Sequence, residues 1–261
     1  MLTHSSAKYV NAPISEVIFG VTFNQAVYGN LLFELIARFK KDYPKIQLQS
    51  PLPDETLKGY TIENIIEAEL TGAFLTRLFS VDDHWLLQLQ NNKFFFNWLR
   101  RDDLPTGKYP GYMEICRRFD ELFNESLESI VFDKNNLNTA VKHYSLIYQD
   151  RIFWQDHIKN LSDIGEIIKI ELPSLPRTMA SSSTPTNIFF KSTIPVEEIG
   201  GHVNININTG ISSNRPVLIL QSEIYGKKDS GSMLEWFDVS RNIQQNLFEN
   251  IFQQEILRQW Q

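Results

Sequence analysis

The fold is decided by the stretch LTRLFSVDDHWLLQLQNNKFFFNW, residues 75–98. Three aliphatic and aromatic runs, residues 75–81, 85–90 and 93–98, are separated by the pairs Asp82-Asp83 and Asn91-Asn92. Short runs rich in Leu, Phe and Trp between Asp and Asn turns are typical of consecutive antiparallel strands. The stretch therefore predicts a three-stranded meander.

The meander belongs to a first series of elements that begins with a strand and closes with a helix. Alternating apolar residues predict a strand over 17–23, and helical spacing predicts a helix over 27–43. Residues 61–70 fit either a helix or a strand. A second helix is predicted over 113–127. Its apolar stripe contains Met113, Cys116, Phe119, Leu122, Phe123 and Leu127.

A second series repeats this order over residues 139–260. It begins with a strand at 144–148, and a shorter helical stripe follows over 154–170. Ser232 and Glu235 have the spacing of a capping box, which predicts the start of a long helix that reaches residue 260. Three further strands are predicted at residues 188–194, 202–209 and 217–225.

These two series predict an α+β fold made by tandem duplication of strand, helix, three strands and helix. Antiparallel half-sheets would join about a pseudo-twofold axis, with helices on one face and the other face largely free. The repeats are predicted over residues 1–134 and 135–261. Because the polar boundary at 133–138 is too short for a flexible tether, we expect the repeats to pack together as one unit.

Composition narrows the functional classes. The chain has 261 residues, of which 42% are hydrophobic, and a single cysteine, Cys116. No secretory leader or membrane-spanning apolar run is recognisable, so we expect a cytoplasmic protein that does not enter membranes. The net charge of −6 disfavours general affinity for nucleic acid, which depends on basic groups that neutralise phosphates.

Motifs that carry chemistry are missing from the sequence. It contains no glycine-rich nucleotide fingerprint, no phosphate loop, no His-Glu-x-x-His and no Gly-x-Ser-x-Gly, so neither a cofactor nor a metal is expected. Residues 82–84, Asp-Asp-His, are interpreted as a hairpin turn because adjacent side chains point in different directions. Cys116 falls on an apolar stripe and is interpreted as a core residue. His202 lacks an evident acid-base partner.

The clearest polar pattern is the strand HVNININT, residues 202–209, in which asparagines alternate with apolar residues. Polar residues also alternate along the strands that contain Gln149 and Gln221. An ordinary solvated sheet face explains this pattern, and so does a binding surface whose anchor is an arginine. The loop at 179–187 is a second candidate surface. The predicted binding residues are Gln149, Arg151, Asn204, Asn206 and Asn208.

Five short motifs, mostly core patterns, are spread over nearly the whole chain. They are NAPISEVIFGVTF (11–23), NNKFFFNW (91–98), YPGY (109–112), YQDRI (148–152) and LFENIFQQEILRQW (247–260). Together they resemble a sporadically distributed family of uncharacterised prokaryotic proteins of about this length, in which an asparagine usually replaces Asp150 and a histidine often occurs near Ser240. The resemblance implies no established activity. The patchy occurrence of that family is typical of bacterial accessory or defence genes.

Three functional classes follow from these observations. The first is a non-enzymatic interaction protein, an adaptor, sensor or inhibitor, that binds a protein partner through an open polar sheet face. The second is a nucleotide or single-stranded nucleic-acid binder, which would need stacking rings such as Phe94, Phe96 and Trp98 on the open face. The third is an enzyme with a dispersed active site, which would need convergent ionisable side chains in a deep pocket.

Overall fold

The computed structural model describes residues 9, 11–25, 32–52, 74–101, 108–128, 137–169, 187–228 and 230–261. The strands are β1 (Ile14–Phe23), β2 (Lys45–Gln49), β3 (Leu75–Phe79), β4 (Trp85–Gln90), β5 (Lys93–Leu99), β6 (Val141–Ile152), β7 (Phe189–Val196), β8 (Gly201–Ser212) and β9 (Arg215–Gly226). The α-helices are α1 (Leu32–Phe39), α2 (Tyr112–Glu128), α3 (Leu137–Ala140), α4 (Met233–Ile251) and α5 (Gln254–Gln259).

The strands form one antiparallel nine-stranded sheet in the order β2-β3-β4-β5-β1-β6-β9-β8-β7, so the predicted α+β class is confirmed. The chain falls into two compact units, residues 16–146 and residues 1–15 with 147–261. The long strand β6 contributes to both units. Within the described ranges, no helix combines the length and the apolar character needed to cross a membrane.

The unit of residues 16–146 is organised by aromatic packing between the meander and α2. The predicted meander is confirmed as β3, β4 and β5. Phe119 on α2 is fully buried, and its ring centroid lies 5.4 Å from that of Phe19 on β1 and 5.9 Å from that of Phe94 on β5. Alternation along β1 and β5 directs these rings to the same face of the sheet, where α2 covers them. Cys116 is buried, as predicted, but Met113 is 58% exposed.

The face of this unit opposite α2 is buried along β5 and at the end of β4, so the prediction of a largely free face is wrong for that part of the sheet. Lys93 and Asn97 alternate along β5 with the rings that face α2, Gln90 on β4 pairs with Lys93, and all three are at most 5% exposed. The amide of Gln90 donates to the backbone oxygen of Leu52 (3.2 Å) and accepts from its backbone nitrogen (2.9 Å). Hydrogen bonds of this kind lower the cost of burying polar groups, so a polar strand face need not be a wet one.

In the second unit, α4 covers the apolar face of β8 and β9. Ser222 on β9 is buried and donates a hydrogen bond to the side-chain oxygen of Gln244 on α4. The predicted capping box at the start of α4 is confirmed: the backbone nitrogen of Ser232 donates to the Glu235 carboxylate, and that of Glu235 donates to the Ser232 hydroxyl. The two hydrogen bonds satisfy backbone donors that a helix start leaves without partners.

Two predicted helices of the second unit differ in the structure. The segment 154–170 forms two short 3₁₀ helices, Trp154–Asp156 and Leu161–Glu166, rather than an α-helix. The predicted long final helix is interrupted at Phe252, which forms an antiparallel bridge with Ile168. The two segments meet at this bridge, where Ile168 and Phe252 are both buried and the backbone of Phe252 is extended.

The remaining differences concern the element order. Strand β2 was not predicted, so four strands rather than three follow α1 in the first series. In the second series no α-helix stands between β6 and β7 in the described part of the chain. The undecided segment 61–70, the repeat boundary after residue 134 and the loop at 179–186 lie outside the described residues.

Candidate binding face

The asparagines of β8 lie on one face of the second unit. Asn204, Asn206 and Asn208 are half-buried, whereas the intervening Val203, Ile205 and Ile207 are at most 6% exposed. The alternation predicted for this strand is therefore confirmed. Because α4 covers the apolar side, the asparagines point away from that helix.

Strand β9 extends this face with a second row. Its register places Glu223 opposite Asn204, Gln221 opposite Asn206 and Tyr225 opposite His202. Residues paired across an antiparallel ladder project from the same side of the sheet. All these side chains are half-buried. The resulting polar face comprises His202, Asn204, Asn206, Asn208, Gln221, Glu223 and Tyr225.

Glu223 is the centre of a hydrogen-bond network on the polar face. Its carboxylate accepts from the amide nitrogen of Gln221 through Oε1 and from the hydroxyl of Tyr225 through Oε2, the latter at 2.6 Å. The Tyr225 ring in turn lies 5.2 Å from the His202 ring, measured between centroids. A carboxylate held on both oxygens has a fixed position, so the network orients the side chains of this row.

Strand β7 adds an exposed margin to the polar face. The Thr193 hydroxyl donates to Oδ1 of Asn204 at 2.7 Å, and Lys191 stands opposite Asn206 in the ladder. Phe189, opposite Asn208, is 77% exposed. The margin thus combines a cation, a hydroxyl and an aromatic ring.

The side-chain amides of Asn206 and Asn208 make no hydrogen bond within the described part of the chain. Each amide has a carbonyl oxygen that accepts and a nitrogen that donates twice. Two adjacent amides on a half-exposed face therefore offer donors and acceptors that the protein itself does not use.

Gln149 and Arg151 are placed differently from the asparagines. Both are half-buried on β6, and β9 separates that strand from β8. The Gln149 side-chain nitrogen donates to the hydroxyl of buried Ser15 at 3.3 Å. Arg151 also takes part in an interaction within the chain. The structure therefore groups the three predicted asparagines, and gives Gln149 and Arg151 internal contacts two strands away.

The β9 row is the part of the face that sequence reasoning did not include. Alternation marks Gln221 as polar and outward, yet alternation alone does not say which residues of another strand stand beside it. The strand pairing supplies this information, since it brings Glu223 and Tyr225 next to the asparagine strand.

The Asp82-Asp83-His84 segment is a structural turn, as interpreted from the sequence. His84 is buried, and its Nδ1 lies 3.0 Å from the backbone oxygen of Leu99. Burial acts to raise the pKa of Asp82, but hydrogen bonds from Ser80 and from the backbone of His84 outweigh it, so the pKa lies below its ordinary value. Among the described residues, no three His, Cys, Asp or Glu side chains are grouped so that they could hold a metal ion.

A cavity of about 440 Å³ lies beside the 3₁₀ helices and is lined by His157, Glu166 and Glu255, among others. Its carboxylates are exposed, and Asp156 at its edge forms an ion pair with Arg215. Catalytic acids and bases generally lie in enclosed surroundings, whereas these carboxylates are open to water. The cavity therefore offers less to an enzymatic function than the polar face offers to binding.

The chain matches no protein-family model, no curated protein and no solved structure. The function must therefore be argued from the site itself.

The assignment of faces predicts a contrast between two neighbouring residues of β8. Ile205→Ala should destabilise the protein by about 2–5 kcal/mol, because it removes buried apolar surface and leaves a cavity against α4. Asn206→Ala should change the free energy of unfolding by no more than about 0.5 kcal/mol. Denaturant melts of both variants measure the contrast. Equal destabilisation by the two substitutions would mean that the faces are assigned the wrong way round.

Proposed function

We propose that this protein is a non-enzymatic interaction protein, an adaptor, sensor or inhibitor, that binds a protein partner through the polar face. The observation that carries the proposal is the pair of half-exposed amides, Asn206 and Asn208, beside a carboxylate fixed by Gln221 and Tyr225. Binding surfaces gain from groups that are oriented in advance, because less entropy is lost when the complex forms.

The composition of the surface favours a protein over other partners. Tyr225, the half-exposed amides and the exposed Phe189 are residue types suited to protein interfaces, since they provide contact area together with hydrogen-bonding groups. The polar face itself carries the carboxylate of Glu223, and no arginine or lysine stands in its two rows. A nucleic acid would instead require cationic groups that neutralise phosphates.

The aromatic residues that would have to stack on nucleic-acid bases are buried. Phe94, Phe96 and Trp98 are at most 2% exposed, so they are unable to stack on bases. The enzymatic hypothesis would require an acid-base pair or a nucleophile on the polar face. There, Glu223 is already bound by two donors, which suits a structural carboxylate better than a catalytic one.

The proposal extends to the cellular location and the gene context of the protein. We place the protein in the bacterial cytoplasm and in an accessory or defence gene set, which is the setting implied by the resemblance of its motifs. We further infer that the chain arose by tandem duplication. This inference is supported by the parallel between β1 followed later by β3, β4, β5 and α2, and β6 followed later by β7, β8, β9 and α4.

The test begins with the partner. Affinity purification of the full chain from its native host, followed by mass spectrometry, identifies proteins that co-elute with it. The triple variant Asn204, Asn206, Asn208→Ala should then weaken the purified complex about thirtyfold or more, equivalent to about 2 kcal/mol. Arg151→Ala tests the arginine anchor that the sequence predicted.

Helix α4 supplies a matched control. Asn242, Asn246 and Asn250 are exposed on one stripe of that helix, on the other side of β8 and β9. Their triple substitution by alanine removes the same chemical groups, and affinity should be unchanged. If the β8 and Arg151 variants both bind with wild-type affinity while remaining folded, the site lies elsewhere. Turnover of a small molecule by the purified protein would replace the binding proposal with the enzymatic one.

A further inference from the structure

Arg77 on β3 is a partly buried cation that forms no ion pair with the described residues. Its side chain is half-buried, its Nε is removed from solvent, and that nitrogen has no hydrogen-bond partner among the described residues. The guanidinium carbon lies 4.9 Å from the centroid of the Phe79 ring, a cation-π contact that does not neutralise charge. Burying a charge is costly unless an opposite charge or a hydrogen bond offsets it.

Polar groups surround Arg77 on the same face of the sheet. The strand register places Gln47 and Gln88 directly opposite it on β2 and β4. The Gln88 side-chain nitrogen donates to Asn97 at 3.0 Å, and the Asn97 side-chain nitrogen donates to the carboxylate of Glu16 at 2.6 Å. These amides therefore hydrogen-bond to each other and to the carboxylate of Glu16, and not to the guanidinium of Arg77.

A second cation, Arg101, is anchored at the turn that joins β3, the strand of Arg77, to β4. Burial lowers the pKa of Arg77, the charge of Glu16 opposes this shift, and the charge of Arg101 adds to it. Arg101 is anchored by its Nε, which donates to the backbone oxygen of Asp83 at 3.1 Å. No other hydrogen bond of Arg101 is formed within the described residues, so its two terminal nitrogens remain free. Among the described residues, the charges that act on the Arg77 pKa are the carboxylate of Glu16 and the guanidinium of Arg101.

We propose that Arg77 and Arg101 form a binding site for an oxyanion, the group that carboxylates and phosphates share, on the face of the first unit opposite α2. A guanidinium offers parallel N–H donors that match two oxygens of such a group. An oxyanion would accept hydrogen bonds from the terminal nitrogens of Arg77, which are not among the buried atoms, and would offset the excess positive charge. The site is independent of the polar face, because it lies on β3 and beyond the end of β5.

The proposal is tested by calorimetric titration of the full chain with sodium phosphate and, separately, with sodium acetate. Sodium chloride at matched ionic strength is the control. At least one oxyanion should bind saturably to the wild type. Arg77→Gln should weaken this binding about thirtyfold or more, since it removes charge-assisted hydrogen bonds. Arg77→Lys should lose part of the affinity, because it keeps the charge but lacks the planar fork.

The control variant is Arg117→Gln on α2. Arg117 is exposed and pairs with Glu114 and Glu121, so its removal should leave oxyanion binding unchanged. Thermal melts give a second readout: phosphate or acetate should raise the melting temperature of the wild type more than sodium chloride does, and should not do so for Arg77→Gln.

Each outcome decides the proposal. Binding of phosphate alone identifies a phosphate site, and binding of acetate alone identifies a carboxylate site. Absence of saturable binding by both, or equal losses in the Arg77 and Arg117 variants, overturns the proposal. If Arg77→Gln does not fold, Arg77→Lys becomes the test. Unchanged affinity of that variant for the anion, together with unchanged stabilisation by the anion, would contradict a role for the guanidinium.

Discussion

Residues 1–134 expressed alone are expected to show no cooperative melting transition. This fragment ends before residues 141–146, the part of β6 that belongs with residues 16–146. Val141 and Leu146 in that segment are at most 1% exposed. Each buried aliphatic side chain contributes about 1.5–3 kcal/mol, and a domain's whole stability is only about 5–15 kcal/mol. Loss of these two side chains, about 3–6 kcal/mol together, therefore removes a large share of the free energy of unfolding.

Backbone pairing adds to this loss. The backbone nitrogen of Asn24 donates to the backbone oxygen of Ala140 at 2.8 Å. The side-chain nitrogen of Asn24 donates to the backbone oxygen of Thr139 at 2.9 Å. Without these partners Asn24, directly after β1, would lose both hydrogen bonds. Circular dichroism and calorimetry of the fragment, compared with the full chain, measure the effect. A monomeric fragment with native-like dichroism and a sharp transition would contradict the prediction that the two repeats form one folding unit.

Phe119→Ala is expected to destabilise the protein by about 3–5 kcal/mol. Phe119 is fully buried on α2, and its ring centroid lies 5.4 Å from Phe19, 5.9 Å from Phe94 and 5.7 Å from Phe123. Its removal leaves a cavity between the helix and the sheet and ends three ring contacts, so both burial and dispersion are lost. Denaturant unfolding, with the m-value checked for constancy, measures the change.

The matched control for Phe119 lies on the same helix. Met113 is 58% exposed, so Met113→Ala should change the free energy of unfolding by no more than about 0.5 kcal/mol. The comparison also distinguishes the structure from the sequence pattern, because the pattern placed both residues on one apolar stripe and the structure buries only Phe119. A loss of several kcal/mol in Met113→Ala, or a small one in Phe119→Ala, would show that α2 packs with a different face.

The sequence predicted those elements whose signals are local. The meander was predicted because each strand is a short apolar run between turn residues, and the β8 alternation because a strand repeats every two residues. The capping box of Ser232 and Glu235 was predicted because both partners lie within one helical turn. In each case the interacting residues are close in sequence, so the physics is visible in the pattern itself.

The predictions failed where contacts between residues far apart in sequence override the local preference for a helix. The stripe at 154–170 has helical spacing, yet the backbone nitrogen of Lys169 donates to the oxygen of Ile251, and that of Gln253 donates to the oxygen of Ile167. These bonds join residues 167–169 to residues 251–253, far apart in sequence, and neither predicted helix continues through its segment. Periodicity records which residues are apolar and not which backbone partners they meet.

The sequence by itself determined the α+β class, the three-stranded meander, the capped α4 and the orientation of the asparagines on β8. Only the tertiary structure decided that Glu223 and Tyr225 stand beside those asparagines, that Gln149 has an internal partner, and that the polar residues Lys93 and Asn97 are buried. The physical reason is register. Alternation within a strand fixes two faces, but strand pairing and the elements that cover each face decide which neighbours a side chain meets and whether water reaches it.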